Sequence, residues 1–273
     1  MLILSASIVL YHNAYEEVRQ IIKSFLDTSL HVKLFLVDNS LTDTLKVLAQ
    51  DDERISYIFN NANIGYGKAH NIALRKSMEE GVKYHLVLNP DVLIPQGTLE
   101  SLVAYMDEHP KCANIMPQVR YPDGSIQHLC KLLPTPFDLM LRRFVPSQTW
   151  KERRNETYEL RHTGYDTVMN VPSLSGCFMF LRVEALHNVG LFDERFFMYM
   201  EDVDLNRRLH VKYETLFYPI MEITHGYAKA SYKNKKLLWY HMCSAWRYFN
   251  KWGWWFDAKR KAINIKTLKQ FSS

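Results

Sequence analysis

The sequence predicts an α/β fold, in which helices cover both faces of a mainly parallel, Rossmann-like central sheet and a helical extension follows at the C-terminus. Short, almost wholly apolar segments alternate four times with amphipathic segments within residues 3–106. Such strands are typical of a parallel sheet that is buried on both faces. Polar residues follow the apolar segments, and the composition changes near Gly226, where we place the end of the α/β domain.

The first half of the chain supplies the alternating elements in order. Runs of apolar residues predict strands at 3–10, 32–37, 55–59 and 84–88. Apolar residues at helical spacing, such as Val18, Ile21 and Phe25, predict the first helix. On the same basis the helices are placed at 15–26, 41–49, 70–78 and 99–106. A loop rich in asparagine and glycine follows the third strand at 60–67.

The pattern is less regular after residue 110. Residues 121–125 contain a turn signal. Residues 131–165 contain several prolines and a charged patch at 151–156, and this patch is expected to be a mobile surface loop. Residues 204–210 predict a helix. Residues 214–218 predict a strand that ends at Pro219, because proline cannot donate to a strand ladder.

Length and cysteine content set the broad class of the protein. A chain of 273 residues can bury a large core, so we expect one large α/β domain with an appendage. The four cysteines lie far apart and form no C-x-x-C pair, which indicates reduced thiols in the cytoplasm. The first ten residues lack a basic leader, and no apolar run is long enough for a transmembrane helix. We therefore expect a cytoplasmic protein without a signal peptide.

Residues 229–273 form a tail that differs from residues 1–228 in charge and aromatic content. They hold eleven of the 34 lysines and arginines, one of the 29 acidic residues and five of the six tryptophans. Basic and aromatic residues together suit a helix at an anionic membrane surface. Equally, the tryptophans could pack on the first domain and leave the lysines in solvent. Binding to single-stranded nucleic acid is a third interpretation, which nothing else in the sequence supports.

Polar clusters mark the edge of the predicted sheet where a ligand should lie. Ligands of such sheets bind beyond the carboxyl ends of the strands. Clusters begin here at Tyr11, Asp38 and Asn89, directly after the first, second and fourth strands. The first strand is followed neither by G-x-G-x-x-G nor by a Walker A motif. The sequence therefore argues against a Rossmann dehydrogenase and against a P-loop ATPase.

Three carboxylates, Glu201, Asp202 and Asp204, follow an aromatic run and precede a predicted helix. A carboxylate pressed against aromatic rings is partly desolvated, which raises its pKa toward values useful for proton abstraction. An alternative is that the acidic residues complement the helix dipole and pair with Arg207 and Arg208 one turn later.

A second candidate site is Asn89-Pro90-Asp91. Mg²⁺ prefers oxygen ligands and usually keeps waters and substrate phosphates in its shell, so Asp91 is a candidate metal ligand. The alternative is a plain turn, since all three residue types favour turns. His225 could complete an oxygen and nitrogen set suited to Mg²⁺ or Mn²⁺.

These motifs together resemble the family-2 inverting glycosyltransferases of the GT-A fold, in particular the bacterial rhamnosyltransferase-like branch. The resemblance extends from about residue 5 to residue 226. Its carriers, in chain order, are the segments 38–40, 63–71, 88–91, 175–182, 190–197 and 201–207, followed by His225. Most of these segments are weak signals singly, and their order and spacing make the resemblance specific.

The resemblance implies a role for each candidate residue. Asp202 would be the catalytic base with Glu201 beside it, and Asp91 and His225 would be ligands of Mg²⁺ or Mn²⁺. Asp38 would read the nucleobase of a nucleotide-sugar donor. Further donor or acceptor contacts are implied at Tyr11, Asn39, Asn63, Gly65, Lys68, Asn71, Asn89, Ser175 and Gly176. Residues 1–228 would then form the nucleotide-sugar-binding catalytic domain.

One departure from the family pattern concerns charge. Asn89 stands where the family's D-x-D motif has its first aspartate, so more of the donor diphosphate charge would be met by Lys68, His70 or an arginine.

The resemblance implies transfer of L-rhamnose from dTDP-rhamnose to a glycan or a polyprenyl-diphosphate-linked saccharide. This reaction would serve O-antigen or capsule synthesis at the inner face of the bacterial cell membrane. Two alternatives stay open: a UDP-hexose donor, and a non-catalytic nucleotide- or carbohydrate-binding module. The pair of Glu201 and Asp202 argues against the module, because binding alone needs no base.

Overall fold

The computed structural model describes residues 2–141, 147–226 and 235–271. Lys229, Lys233 and the predicted domain boundary at residue 228 lie outside these ranges. The strands are β1 (Leu4–Leu10), β2 (Val32–Asp38), β3 (Ile55–Phe59), β4 (Tyr84–Leu88), β5 (Val92–Leu93), β6 (Cys112–Arg120), β7 (Met169–Asn170), β8 (Phe178–Arg182) and β9 (Glu214–His225). The helices are α1 (Tyr15–Leu26), α2 (Tyr66–Glu79), α3 (Thr98–Glu108), α4 (Gln148–Tyr158), α5 (Val183–Val189), α6 (Glu201–Lys212), α7 (Lys235–Trp252) and α8 (Ala258–Lys269).

The strands of the described ranges form one sheet in the order β3-β2-β1-β4-β8-β6-β9-β5, with β7 beside β9. The four strands from β3 to β4 are parallel, and Leu4 lies opposite both Val32 and Tyr84. β8 runs antiparallel to β4 and β6, whereas β9 is parallel to β6. The predicted α/β fold is confirmed. The second half of the sheet is more mixed than predicted, because the regular alternation that signals parallel strands stops near residue 110.

Helices cover both faces of the sheet, as the alternation of side chains along β2 illustrates. Leu34 and Leu36 join the core cluster that includes α1 and α3. Phe35 and Val37 point the other way and pack against Ala69 of α2. Since successive side chains of a strand face opposite sides, a run of apolar residues is what a doubly covered strand requires.

Helix α4 contains the charged patch 151–156, which was predicted to be a surface loop. The hydroxyl of Ser147 accepts the N–H of Trp150 at 3.2 Å and caps the helix. Arg154 pairs with the buried Asp138 at 2.7 Å. Among the residues of this helix only Tyr158 is buried. The prediction was therefore wrong, because the sequence lacks the apolar stripe by which such a helix is recognised.

Strand β9 continues through Pro219, where the strand was predicted to end. Tyr218 faces Pro117 of β6 and Glu222 faces Gln118, so the register shifts between them. Residues 219–221 form a bulge, in which the missing N–H of proline removes no ladder bond. The continuation carries His225 to a position opposite Val92 of β5.

Candidate active site

A cleft of about 1120 Å³ opens at the carboxyl ends of β1, β2 and β4. Four of the predicted contact residues line it from the first third of the chain: Tyr11, Asn39, Asn63 and Asn89. Six further predicted residues line it too: Asp91, Ser175, Gly176, Glu201, Asp202 and His225. The fold therefore brings the acidic pair, the Asn-Pro-Asp turn and His225 to one cavity.

Asp202, the second residue of α6, is held by two backbone N–H groups. Its Oδ2 accepts the N–H of Gly176 at 2.9 Å, and its Oδ1 accepts the N–H of Val203 at 2.8 Å. Burial raises the pKa of this carboxyl above its ordinary value, and the two N–H groups and the charge of Lys131 offset part of that rise. A partly desolvated carboxylate that is stabilised by donors in this way is suited to accept a proton.

Glu201 is only 5 % exposed, and its Oε2 has no hydrogen-bond partner within the described ranges. Burial, and secondarily the charge of Asp202, raise the pKa of Glu201 to about 8. Glu201 is therefore protonated at neutral pH. The negative charge of the pair resides on Asp202, which has the backbone donors.

The Glu201 carboxyl should make stability depend on pH. Between its ordinary pKa of 4.5 and about 8, the folded protein holds a proton that the unfolded chain has lost. The free energy of unfolding is therefore expected to fall as pH rises across this window. Glu201→Gln should remove this part of the slope in urea unfolding measured at a series of pH values, whereas Glu108→Gln on the surface should not. An unchanged slope in Glu201→Gln would contradict the assignment.

The side-chain amide of Gln127 contacts both the ring and the backbone carbonyl of His225. The Oε1 of Gln127 lies 3.0 Å from Nδ1 of His225, and its Nε2 donates to the carbonyl of His225 at 2.8 Å. The other ring nitrogen, Nε2, faces Asp91 Oδ1 at 3.3 Å. Burial lowers the pKa of His225, but Asp91 and Cys177 raise it more, to about 10. Gln127 was not predicted, because no chemical pattern surrounds it in the sequence.

Asp91 and the neutral imidazole of His225 fit a divalent cation whose remaining ligands come from substrate and water, and such a cation would displace the proton that Asp91 otherwise stabilises on the ring. Asp91 is partly exposed to the cleft, and the amide of Asn89 lies 3.4 Å from Nε2 of His225. The described ranges contain no group of three or more His, Cys, Asp or Glu side chains that would hold a metal by themselves. Two protein ligands match the way Mg²⁺ binds together with phosphate oxygens.

Asp38 does not line the cleft. It is fully buried at the end of β2, where its Oδ1 accepts the N–H of Ser40 at 2.8 Å and its Oδ2 accepts the hydroxyl of Tyr57 at 2.6 Å. The next residue, Asn39, lines the cleft instead.

Gly65, Lys68 and Asn71 also lie outside the cleft lining. Gly65 has a φ of +94°, and a Cβ there would lie 2.6 Å from the carbonyl oxygen of Phe197. Asn71 donates to the carbonyl of Phe192 at 2.9 Å and accepts its N–H at 3.0 Å. Gly65 and Asn71 thus fasten the loop before α6 to α2, while Lys68 is exposed.

His70 is fully buried, with Nδ1 2.7 Å from the hydroxyl of Ser7. Burial holds the pKa of His70 well below its usual range, so the ring is neutral. The expectation that Lys68 or His70 meets the charge of a diphosphate is therefore not supported by their positions. Lys131 and Arg161 are the lysine and arginine that line the cleft in the described part of the chain.

Tyr66 was not predicted as a site residue, although it lies inside the Gly65–Gly67 motif. Its hydroxyl lies 2.8 Å from the carbonyl oxygen of Gly176 and 3.0 Å from Oδ1 of Asn89. It thereby links the wall that holds Asp202 to the wall that holds Asp91. An aromatic residue between two glycines at a strand's carboxyl end was the available signal.

The turn that presents the acidic pair is strained and is packed under α7. Tyr199 and Met200 have φ values of 68° and 69°, a conformation that costs non-glycine residues about 1–3 kcal/mol each. The hydroxyl of Ser244 donates to the carbonyl of Met198 at 2.8 Å. Phe196 and Met200 are buried with three residues of α7: Ala245, Tyr248 and Phe249. This packing stabilises the turn and so the position of Glu201 and Asp202.

A buried ion pair joins α6 to the segment between α7 and α8. Arg207 donates from Nη2 to both carboxylate oxygens of Asp257 at 3.0 and 2.8 Å, and the two side chains are 2 % and 4 % exposed. The guanidinium also lies 4.1 Å from the ring centre of Trp252. Asp204 accepts Nε1–H of the same tryptophan at 2.8 Å. The described part of the tail therefore packs on α6, the helix that carries Asp202.

Other aromatic residues of the tail face solvent. Trp239 and Trp246, two turns apart on α7, are 67 % and 56 % exposed, and Phe256 is fully exposed. Trp255 is exposed as well. Within residues 2–141, 147–226 and 235–271, no helix combines the length and the apolar character that crossing a membrane demands.

Residues 7–190 match the sequence profile of Glycosyl transferase family 2. The chain belongs to this family. Among curated family-2 relatives, N-acetylglucosaminyl-diphospho-decaprenol L-rhamnosyltransferase of Mycobacterium tuberculosis is 30 % identical over 224 residues, which cover 76 % of this chain and 70 % of that protein. Rhamnosyltransferase WbbL of Escherichia coli is 26 % identical over 274 residues, and the alignment covers 97 % of this chain and 97 % of that protein.

Solved structures show the same fold for this family-2 glycosyltransferase. The mannosyltransferase PcManGT of Pyrobaculum calidifontis, in complex with GDP-Man and Mn²⁺, superposes with a TM-score of 0.60 at 15 % identity. GalNAc-T7 with UDP, GalNAc and Mn²⁺ superposes with a TM-score of 0.63 at 14 % identity. The superpositions cover 89 % and 82 % of this chain, but only 64 % and 43 % of those proteins. The predicted GT-A fold is confirmed.

Proposed function

We propose that this family-2 glycosyltransferase moves L-rhamnose from dTDP-rhamnose to a saccharide carried on polyprenyl diphosphate, with inversion at the anomeric carbon. The observation that carries the proposal is the position of Asp202, which lines the same cleft as Asp91 and His225. The names of two relatives, a rhamnosyltransferase acting on N-acetylglucosaminyl-diphospho-decaprenol and WbbL, support the choice of donor sugar and acceptor. The product would enter a cell-surface polysaccharide such as O-antigen or capsule.

Asp202 would act as the general base. An acceptor hydroxyl is a weak nucleophile at neutral pH, so its proton must leave as its oxygen attacks the anomeric carbon. General-base catalysis of this kind contributes roughly 10²–10⁴-fold in rate. The N–H groups of Gly176 and Val203 orient the carboxylate, and neutral Glu201 beside it adds no competing charge. A single displacement by the acceptor oxygen inverts the configuration of the transferred sugar.

Asp91 and His225 would hold Mg²⁺ or Mn²⁺, and Asn89 lies beside them. Such an ion, when bound, neutralises charge on the diphosphate leaving group. Gln127 fixes the orientation of His225 so that its Nε2 faces the cleft side occupied by Asp91. The nucleoside would lie along the ends of the first strands, where Tyr11, Asn39 and Asn63 line the cleft.

A thermal-shift panel of nucleotide sugars, with and without Mn²⁺, tests the donor and the cation together. A ligand that binds only the folded state raises the melting temperature by mass action. We expect dTDP-rhamnose with Mn²⁺ to give the largest shift, and Asp91→Asn to lose the part of the shift that depends on Mn²⁺. A larger shift with a UDP-hexose would favour the alternative donor, and no shift with any nucleotide sugar would contradict the proposal.

We also propose that the exposed aromatic residues of the tail bind the anionic inner face of the cell membrane, where a polyprenyl-linked acceptor resides. Trp239, Trp246 and Phe256 expose large apolar surfaces, and Trp239 lies one turn of α7 after the exposed Lys235. Tryptophan and lysine together favour the interface of an anionic leaflet. The buried side chains of the tail, such as Trp252, already pack on α6. Packing on the rest of the protein and binding to a membrane would therefore use different side chains of the tail.

Replacing the exposed aromatic residues should weaken membrane binding without unfolding the tail. The triple variant Trp239→Ser, Trp246→Ser, Phe256→Ser is expected to lose at least tenfold in partition to phosphatidylglycerol vesicles, because burying even one large apolar side chain is worth about 1.5–3 kcal/mol. The control replaces two exposed apolar residues of the first domain, Val211 and Ile220, by serine. Equal sedimentation of the wild type and both variants would contradict membrane binding through this surface.

A further inference from the structure

The cleft has two walls of different character. One wall is formed by the ends of the first strands and carries amides and Tyr11. A second wall is formed by residues between β6 and β7 and includes Lys131 and Arg161. The strand ends are where a nucleotide belongs in this fold. The second wall is therefore the side left for the acceptor.

Hydrogen bonds fix the backbone of the second wall in place. The buried hydroxyl of Tyr165 receives the N–H of Cys130 at 3.0 Å and donates to the carbonyl of Glu159 at 2.7 Å. On the other side of Lys131, Leu132 donates to the carbonyl of Tyr158 at 3.0 Å. These bonds join the segment of Lys131 to the end of α4. They place Lys131 and Arg161 on one supported surface.

The backbone of Lys131 is bonded to the segment that leads to Gly176. Its N–H donates to the carbonyl of Ser173 at 2.9 Å, three residues before Gly176, which holds Asp202. Within the described ranges, no carboxylate lies within ion-pair distance of its ammonium group. Its charge acts on the Asp202 carboxylate without a direct ion pair, so the ammonium group can still receive an anionic ligand.

Arg161 is only partly satisfied. Its Nε and Nη2 both donate to one oxygen of Glu159, at 2.8 Å for Nε. Among the described residues, its Nη1 has no hydrogen-bond partner. A guanidinium that still has N–H groups to donate can bind a phosphate oxygen.

We propose that Lys131 and Arg161 form a subsite that binds the phosphate groups linking the acceptor saccharide to its lipid. The inference rests on the proposed function, because it assigns the acceptor of that reaction. In the proposed function, Asp91 and His225 serve the donor diphosphate. The subsite explains why two cations line a wall that the donor does not need.

The test compares two acceptors that differ only in the phosphate. One is N-acetylglucosaminyl diphosphate on a short polyprenol, and the other is the same sugar linked to the same polyprenol without the diphosphate. In Lys131→Ala we expect KM for the diphosphate acceptor to rise about ten- to hundredfold, the effect of losing a hydrogen bond between charged groups. KM for the uncharged acceptor and for the donor should stay unchanged. Lys131→Arg should restore most of the loss, and Lys23→Ala on the surface should have no effect.

The remaining outcomes separate the two proposals. A rise in KM for the donor would assign Lys131 to the donor diphosphate and overturn the subsite. Equal changes with both acceptors would overturn it too, because they would point to a general effect on Asp202. If wild-type protein transfers sugar to neither acceptor, the proposed function itself has failed.

Discussion

Asp202→Asn is expected to lower kcat by about 10²–10⁴-fold while the affinity for the nucleotide-sugar donor stays near the wild-type value. The amide keeps the size of the side chain and one oxygen to accept the N–H of Gly176 or of Val203. It cannot take the proton of the acceptor hydroxyl. Donor affinity, measured by calorimetry, and single-turnover transfer, measured by product formation, give the two quantities separately.

The neighbouring carboxyl supplies a matched control. Glu201 is buried and protonated at neutral pH, so Glu201→Gln changes neither charge nor size at the site. We expect a small loss of activity compared with Asp202→Asn. Near-normal turnover in Asp202→Asn, or a larger loss in Glu201→Gln than in Asp202→Asn, would show that Asp202 is not the base. A non-catalytic binding module would bind the donor and show no transfer in any variant.

The second large effect is expected at Arg207. Removing one partner of a buried ion pair leaves the other charge uncompensated, so Arg207→Ala should lower the free energy of unfolding by about 3–5 kcal/mol. It should also lower the rate of sugar transfer, because α6 carries Asp202. The ion pair of Arg207 with Asp257 holds α7 against the strained turn that precedes α6. Chemical unfolding and a transfer assay on the folded fraction measure both effects.

An exposed pair provides the comparison. Arg19 lies 3.6 Å from Glu16 on the surface of α1, and exposed pairs are worth about 0–1 kcal/mol, so Arg19→Ala should change stability little. The apolar double variant Arg207→Met, Asp257→Leu should recover most of the stability lost in Arg207→Ala. If Arg207→Ala and Arg19→Ala were equally mild, α7 and α8 would not support the active site as we describe.

The ion pair between Arg207 and Asp257 also affects how membrane binding is tested. Deletion of residues 229–273 would remove Asp257 and the α7 residues that pack on Phe196 and Met200. Loss of activity in such a truncation would therefore not report on the membrane. Substitution of exposed aromatic residues alone keeps the packed half of the tail intact.

The parallel half of the sheet could be predicted from the sequence because its strands are buried on both faces. In β2 and β4 nearly every residue is apolar, and a short run of this kind is typical of a doubly covered strand. Helix α4 could not be predicted, because it exposes most of its residues and is held by Ser147 and by the ion pair of Arg154. Both contacts are polar, so they produce no regular spacing of apolar residues in the sequence.

The candidate site could be predicted only in part. Motif positions identify chemistry such as the acidic pair, and the structure places that pair in the cleft. Motif positions do not separate residues that touch a ligand from residues that hold the loop beside it, and Gly65 and Asn71 belong to the second kind. Gln127 is distant in sequence from the residue it orients, and the two meet only because β9 extends as far as His225.

Product analysis tests the central claim most directly. Purified protein is incubated with Mn²⁺, N-acetylglucosaminyl-diphospho-polyprenol and dTDP-rhamnose, or with a UDP-hexose in its place, and the lipid product is analysed by mass spectrometry. We predict a mass gain of one deoxyhexose with dTDP-rhamnose, and none with the same donor and Asp202→Asn. A product formed only with the UDP-hexose, or a deoxyhexose product formed equally well by Asp202→Asn, would contradict this prediction.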